Sequence, residues 1–245
     1  MKNGHRAISV ALIGADGTGK STISRRVVET LGLPAKHVYM GVNLESSNLL
    51  LPTTRLLLEA KRLRGRRPDA VGPPRSQPQQ SGGGVVRRAV GGVKSALRLL
   101  NWAAEEWFRQ VVVWWHQRRG YVVVLDRHFY ADYYRHGIAN GEDVPLASRL
   151  HGAMLERYYP KPDLFILLDA PAEVLFDRKG EGTLELLAER QQEYREMCAV
   201  LGNCEVVSVE QPLDDVVAQI AAMIRDTASR GVSPVTPQLE SSGLE

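Results

Sequence analysis

The sequence predicts an α/β protein, a three-layer sandwich whose parallel sheet of about five strands is flanked by helices. Three observations lead to this prediction. Short apolar, β-branched segments recur along the chain, and segments with apolar residues at helical spacing separate them. A glycine-rich loop follows the first of these strands, and acidic residues directly follow two later ones. Strands that alternate with helices are typical of parallel sheets, which bind ligands at the carboxyl ends of their strands.

The predicted strands are short and continuously apolar, as strands buried on both faces should be. They are Ala7–Ile13, His37–Met40, Tyr121–Leu125, Leu164–Leu168 and Glu205–Val209. Three polar features follow such strands: the glycine loop after Ile13, the pair Asp126-Arg127, and Asp169. Because the carboxyl ends of parallel strands meet at one edge of the sheet, we expect these features to lie close together.

Helices are predicted between the strands. Ser21–Leu31 has apolar residues at helical spacing and stops at Gly32, and Val93–Arg119 is a long helix that stops at Gly120. We expect the tryptophans of this long helix to lie in the core. Further helices are predicted at Asn48–Leu63, at Leu146–Tyr158, from near Pro171, at Leu184–Leu201 and at Leu213–Ala228.

The domain organisation follows from length and composition. With 245 residues, 44% of them hydrophobic, the chain suits one large domain, which we place at residues 1–228. Residues 65–92 are rich in Pro, Gly, Arg and Gln and are predicted to be a flexible insertion. Residues 229–245 are polar and are predicted to be a loose tail.

The charge and the cysteine content of the chain indicate which binding partners and which cellular compartment to expect. The net charge of +3 is small for a nucleic-acid-binding protein, so nucleic acid is not the expected partner. Eleven basic and two acidic residues between positions 55 and 98 could face phosphates, an anionic surface or only solvent. No apolar stretch reaches the ~18 residues that span a bilayer, so no membrane partner is expected. Cys198 and Cys204 fit no zinc pattern, and we interpret them as free thiols of a cytoplasmic protein.

The glycine loop matches the phosphate-binding pattern G-x-x-x-x-G-K-[ST], the P-loop, over Gly14–Ser21. Its glycines let successive backbone N–H groups point at phosphate oxygens, and the following helix adds its positive end. Lys20 is expected to reach the β- and γ-phosphates of ATP, and the Ser21 hydroxyl to hold Mg²⁺. The residues predicted to bind the nucleotide within this segment are Gly14, Gly17, Thr18, Gly19, Lys20, Ser21 and Thr22.

The pair Asp126-Arg127 follows the third predicted strand. A carboxylate in this place has the form of a Walker B residue, which holds Mg²⁺ through water, although an aspartate there could also cap a turn. A motor or hydrolase usually places a glutamate next, whereas Arg127 suits an anionic acceptor or the transferring phosphoryl group. A structural salt bridge is the alternative role of Arg127.

With these motifs, the chain resembles the thymidylate kinase family. Three blocks carry the resemblance: Ile13–Thr22, Leu125–Tyr130, and Pro162–Val174 followed by Arg178-Lys179. It covers residues 7–31 and about 117–225. The resemblance implies a lid near residues 178–190 that closes over ATP.

The resemblance also implies residue roles. Asp16 would reach toward a sugar hydroxyl of the acceptor, Arg127 would lie near the acceptor phosphate, and Asp126 near Mg²⁺. Arg178 would be the catalytic arginine of the lid, with Arg190 a second candidate at the nucleotide. The catalytic residues implied are therefore Lys20, Asp16, Arg127 and Arg178, and the metal ligands are Ser21 and Asp126.

The acceptor region departs from the family. The family has a Thr-Arg-Glu-Pro-Gly-like stretch after the second strand, where this chain has Tyr39–Glu45. The helix before the Asp-Arg strand usually offers an arginine to the nucleotide, and the corresponding region contains Glu105-Glu106. An acid there would repel a phosphate or accept hydrogen bonds from hydroxyls.

We therefore predict a kinase that moves the γ-phosphoryl group of ATP–Mg²⁺ to a nucleoside monophosphate such as dTMP, or to a related small acceptor. A kinase of a sugar or specialised metabolite and a non-catalytic nucleotide-binding protein are the alternatives. The Asn-Lys-x-Asp motif of GTPases is absent, and the residue after Asp126 is not the glutamate of an ATPase motor. By resemblance, a homodimer could form through the tryptophan-rich helix.

Overall fold

The computed structural model describes residues 5–41, 49, 51, 54, 85–129, 157, 159–180 and 183–230. Within these residues the strands are β1 (Ser9–Ile13), β2 (Ala35–Tyr39), β3 (Val122–Asp126), β4 (Leu164–Asp169) and β5 (Cys204–Ser208). The helices are α1 (Lys20–Thr30), α2 (Val85–Arg118), α3 (Ala172–Lys179), α4 (Leu184–Leu201) and α5 (Leu213–Arg230).

The five strands form one parallel sheet in the order β2-β3-β1-β4-β5. This confirms the predicted α/β architecture. The central strand β1 pairs with β3 on one side and β4 on the other, so that Val10 lies opposite both Val124 and Leu164. The carboxyl ends of β1, β3 and β4 are therefore neighbours, and the three polar features of the sequence meet at this edge.

Helices cover both faces of the sheet and produce three layers. Side chains alternate along β1, so Leu12 packs with Val27 of α1 and Ile220 of α5 on one face. Ile13 packs on the other face, with Val113 of α2 and with side chains of α4. Because both faces are buried, every residue of β1 and β3 is buried, which explains their unbroken apolar sequence.

Helix α2 is longer than predicted. It begins at Val85 instead of Val93, so residues 85–92 of the predicted insertion belong to the helix. Gly91 and Gly92 lie inside this helix, where each glycine costs about 1 kcal/mol relative to alanine. The rest of the insertion lies outside the described residues, as do nearly all of the predicted helices at 48–63 and 146–158.

Two tryptophans of α2 do not lie in the core. Trp114 and Trp115 are 37% and 48% exposed, which makes that part of the prediction wrong. The Arg119 guanidinium lies 3.7 Å from the centre of the Trp115 ring and covers part of it.

None of the helices in the described part of the chain combines the length and apolar character that crossing a bilayer requires.

The two cysteines form a disulfide, so the prediction of free thiols is wrong. Cys198 lies in the last turns of α4, and Cys204 is the first residue of β5. The chain reverses between them through Gly202, which has φ +70°, and this brings the two Cα atoms to 5.2 Å. The spacing of the cysteines in sequence does not show this reversal.

Candidate active site

The glycine loop joins β1 to α1 and is tightly packed against its surroundings. Gly14 and Gly17 have φ values of +142° and +96°, which side-chain-bearing residues rarely adopt. A Cβ atom on Gly14 would lie 2.5 Å from the carbonyl oxygen of Leu168, and one on Gly17 would lie 3.1 Å from that of Leu175. The loop is therefore pressed against the end of β4 and against α3, where only glycine fits.

Replacing Gly14 by alanine is expected to lower the free energy of unfolding by about 2–4 kcal/mol, because backbone strain adds to a clash with Leu168. Gly32→Ala is the matched control, since Gly32 has φ +72° but open space around its Cα. That variant should lose only about 1 kcal/mol. Urea denaturation of both variants measures the difference, and equal losses would show that the close packing of the loop is not significant.

The side chain of Lys20 folds back over the loop. Its Nζ donates hydrogen bonds to the carbonyl oxygens of Gly14, at 2.8 Å, and Ala15, at 2.6 Å. The same Nζ lies 3.4 Å from the Thr18 hydroxyl. Lys20 is buried although it is charged, and the loop carbonyls compensate for the lost water. A positive charge is thus fixed inside the curve of the loop.

The carboxylate of Asp16 brings together three cations from three parts of the chain. Its Oδ1 accepts a hydrogen bond from Arg127 Nη2 at 2.8 Å and lies 4.0 Å from Lys20 Nζ. Its Oδ2 lies 3.5 Å from Arg190 Nη1 of α4. We call Asp16, Lys20, Arg127 and Arg190 the cation cluster. Four residues that the sequence analysis predicted at the site are therefore in direct contact.

Arg127 has an unusual backbone conformation that directs it to this cluster. Its φ of +70° is positive, which is uncommon for a residue other than glycine. Its backbone N–H donates to the carbonyl oxygen of Leu12 at 3.1 Å, which continues the parallel pairing of β3 with β1 by one hydrogen bond and fixes Arg127 beside the end of β1. Such strain often occurs at functional sites because the surrounding structure must hold it in place.

Asp126 lies beneath the loop and is 1% exposed. Burial alone would raise the pKa of Asp126, but interactions with His37, the Ser21 hydroxyl and Arg127 outweigh it and leave the pKa below its usual value. His37 Nε2 lies 3.9 Å from Oδ2. Within the described part of the chain no hydrogen bond reaches Asp126 Oδ1. The site thus holds a buried, ionised carboxylate with one unused oxygen beside a hydroxyl.

The Asp126 carboxylate and the Ser21 hydroxyl suit a magnesium ion that phosphate oxygens also bind. Mg²⁺ prefers oxygen ligands and is usually held by one or two carboxylates together with substrate phosphates and water. Among the described residues, no group of three or more His, Cys, Asp or Glu side chains could hold a metal by itself. Ser21 and Asp126 could therefore supply only part of a coordination shell.

The two predicted lid arginines lie in different places. Arg178 Nη2 donates to the carbonyl oxygen of Val209 at 2.9 Å, next to the end of β5, whereas Arg190 belongs to the cation cluster.

Asp169 explains the orientation of α4. Its carboxylate accepts hydrogen bonds from Arg195, at 2.6 Å and 3.0 Å, and from Gln191 at 3.2 Å. Asp169, the third of the polar features that follow strands, therefore holds α4, the helix that carries Arg190.

The sequence analysis missed Arg109 of α2. This residue is buried, and its Nη1 donates to the carbonyl oxygen of Gly41 at 2.6 Å. Burial lowers the pKa of Arg109, and the charge of Glu105 opposes that shift. The sequence could have indicated Arg109, because it lies one helical turn after Glu105 on the same face of the predicted helix.

The sequence was also compared with known proteins. No model of a known protein family matches the chain, and no curated protein matches it significantly. The chemistry of the site must therefore be inferred from its own residues.

Proposed function

We propose that this chain is a P-loop kinase, similar to thymidylate kinases, that moves the γ-phosphoryl group of ATP to a small acceptor. The observation that carries the proposal is the cation cluster at the end of β1, where Lys20, Arg127 and Arg190 surround the carboxylate of Asp16. Phosphoryl transfer needs positioning and neutralisation of negative charge more than covalent chemistry. A set of fixed cations on a glycine loop meets that need.

The glycine loop would bind the phosphates of ATP. Its backbone can wrap around phosphate oxygens, and α1 begins at Lys20 directly behind it, which adds the positive end of a helix. Lys20 can exchange the carbonyl oxygens of Gly14 and Ala15 for phosphate oxygens by a short movement of its Nζ. The charge required at the β- and γ-phosphates is therefore already present in the loop.

Ser21 and Asp126 are the residues that would hold Mg²⁺. When bound, this ion neutralises phosphate charge. The depressed pKa of Asp126 keeps its carboxylate ionised at neutral pH, and the adjacent Ser21 hydroxyl offers a second oxygen.

Arg127 and Arg190 would stabilise the transferring phosphoryl group, with Arg190 belonging to the predicted lid near residues 178–190. Asp16 now neutralises both arginines and would release them in part as a more highly charged phosphate enters. An acceptor that already carries a phosphate needs no strong base. A neutral hydroxyl acceptor would benefit from one, and Asp16 or Glu105 could accept its proton.

The proposal is tested by ADP formation with Mg²⁺ and a panel of acceptors: thymidylate, other nucleoside monophosphates, nucleosides and free sugars. Turnover that depends on one acceptor supports the proposal and identifies the acceptor class. Turnover with a sugar but no nucleotide would favour the sugar-kinase alternative. Bound ATP that is never consumed would favour a non-catalytic nucleotide-binding protein.

Replacing Asp126 by asparagine is expected to raise the Mg²⁺ concentration needed for half-maximal ATP binding about 10- to 100-fold, because the ionised oxygen is lost from the metal site. Titrating Mg²⁺ against a fluorescent ATP analogue measures this change. Asp214→Asn is the control, since the Asp214 side chain is exposed and pairs with Arg26 at the surface. An unchanged Mg²⁺ requirement in Asp126→Asn would remove Asp126 from the metal site.

A further inference from the structure

The outward face of α2 is apolar over residues 100–115. Leu100 and Val111 are 66% and 52% exposed, and the exposed Trp114 and Trp115 follow Val111 by three and four residues. Because successive residues of a helix are separated by about 100°, these four side chains project within one stripe about 100° wide. We call them the outer stripe. A contiguous set of large apolar side chains on a protein surface marks an interaction site.

The acidic residues of α2 face the other way. The helix has only two, Glu105 and Glu106, and both are almost fully buried, together with Arg109. A helix at the surface of a globular protein usually buries its apolar side and exposes its charges. In this part of α2, charged side chains are buried while large apolar ones are exposed. The outer stripe is therefore an apolar surface without negative charge from its own helix.

Three cations lie at the carboxyl end of the outer stripe. Arg118 and Arg119 are exposed where α2 ends, and the Arg119 guanidinium lies against the Trp115 ring. Lys36 is exposed on β2. Burial lowers the pKa of His116, and the positive charges of Lys36 and Arg119 lower it further, so both cations act at the same place. Together they give this end of the stripe a positive potential.

The tryptophans of the outer stripe are held in fixed positions. The ring centres of Trp114 and Trp107 are 6.2 Å apart. Trp107 packs against the core beneath the helix, where its ring centre lies 5.7 Å from that of Tyr159. Trp115 is held by its contact with Arg119. Side chains that are already ordered lose little conformational entropy when they bind, which favours the stripe as a binding surface.

We propose that the outer stripe and its three cations bind the surface of an anionic lipid bilayer. In this arrangement α2 lies on the bilayer without crossing it, with the apolar side chains just below the lipid headgroups and the cations at lipid phosphates. Tryptophan suits this depth because its ring is apolar while its indole N–H can reach the polar headgroups. Residues 100–118 of α2 would extend about 27 Å along the surface.

An anionic bilayer fits this face better than two other occupants. A second copy of α2 offers no exposed acid to the cations, because Glu105 and Glu106 are buried. A nucleic acid could pair with the cations, but it would place polar phosphates and sugars against Leu100 and Val111, which have no hydrogen-bonding groups. Anionic lipids supply both phosphate charge and apolar contact.

The test is sedimentation of the full chain with vesicles of phosphatidylcholine alone and with vesicles of equal parts phosphatidylglycerol and phosphatidylcholine. Wild type should bind the anionic vesicles about tenfold or more tightly than the neutral ones, and salt should reduce this preference by screening the cations. Replacing both Arg118 and Arg119 by glutamine should reduce the preference at least about fivefold. Arg25→Gln is the control, because Arg25 is exposed on α1, and it should change the preference less than about twofold.

Val111→Asp tests the apolar part of the surface, because it places a charge within the outer stripe at an exposed position. It should weaken binding to the anionic vesicles about tenfold or more. Val200→Asp is the matched control, since Val200 of α4 is 71% exposed, and its binding should stay within about twofold of wild type. Circular dichroism shows whether both variants are folded.

The inference is overturned if wild type does not bind the anionic vesicles, if it binds both kinds equally, or if Val111→Asp binds as tightly as wild type. A dimer in light scattering that Val111→Asp dissociates, without vesicle binding, would overturn it and assign the face to a second copy. Binding of single-stranded DNA instead of vesicles would overturn it and assign the face to a nucleic acid. No nucleotide is needed in these measurements, so their failure would leave the proposed kinase function untouched.

Discussion

Replacing Lys20 by alanine should reduce phosphoryl transfer at least about a hundredfold and weaken ATP binding in the same variant. The reason is that Lys20 supplies the one ammonium group fixed inside the glycine loop, within 2.8 Å of the carbonyl oxygens of Gly14 and Ala15. The methyl side chain of alanine cannot replace this charge. Initial rates of ADP formation with saturating acceptor, together with titration of an ATP analogue, measure both effects.

Lys36→Ala is the control for this measurement. Lys36 is an exposed lysine on β2 whose Nζ lies 5.2 Å from the centre of the Tyr121 ring, so the variant removes the same charge from the surface. Its rate should stay within about twofold of wild type. A Lys20→Ala variant that is folded, as circular dichroism would show, and retains full activity would contradict the proposed role of the glycine loop.

The second large effect is expected from Arg190→Ala, which should lower kcat about a hundredfold or more. Of the two predicted lid arginines, Arg190 is the one that belongs to the cation cluster, at 3.5 Å from Asp16 Oδ2, and we therefore expect it to be the one that reaches the transferring group. An arginine in that position stabilises charge that develops in the transition state, so the loss should appear in kcat more than in KM.

Arg178→Ala provides the comparison, because the resemblance to thymidylate kinases implies this residue instead. Arg178 donates to the carbonyl oxygen of Val209 at 2.9 Å, so its loss should cost about 0.5–1.5 kcal/mol of stability and leave kcat within a fewfold of wild type. Steady-state kinetics of the two variants distinguish the roles. The reverse result, a large loss of kcat for Arg178→Ala alone, would mean that the lid turns Arg178 toward the nucleotide when it closes.

Much of the fold could be predicted from the sequence because its signals are local. A strand buried on both faces must be apolar throughout, and β1, β3 and β4 lie within a residue or two of the predicted positions. The glycine loop and Asp126-Arg127 were recognisable because their chemistry is contained in a few consecutive residues. The convergence of these segments then followed from the rule that ligands bind at the carboxyl ends of parallel strands.

The remaining features depend on contacts between distant side chains. The position of Arg190 depends on how Asp169 orients α4 through Gln191 and Arg195, and sequence alone does not show such a contact. The partnership between Arg109 and Gly41 is equally non-local. The disulfide was missed because its two cysteines belong to different elements, and their approach depends on a reversal of the chain.

The position of β1 in the sheet has a consequence for how the chain folds during synthesis. β1 does not pair with β2, the next strand to be made, but with β3 and β4, where Val10 meets Val124 and Leu164. A growing chain that ends before residue 164 leaves one edge of β1 without its native neighbour, and Gly14 without the Leu168 carbonyl against which it packs. The glycine loop, which is synthesised before β3 and β4, therefore reaches its native packing only after β4 has been made.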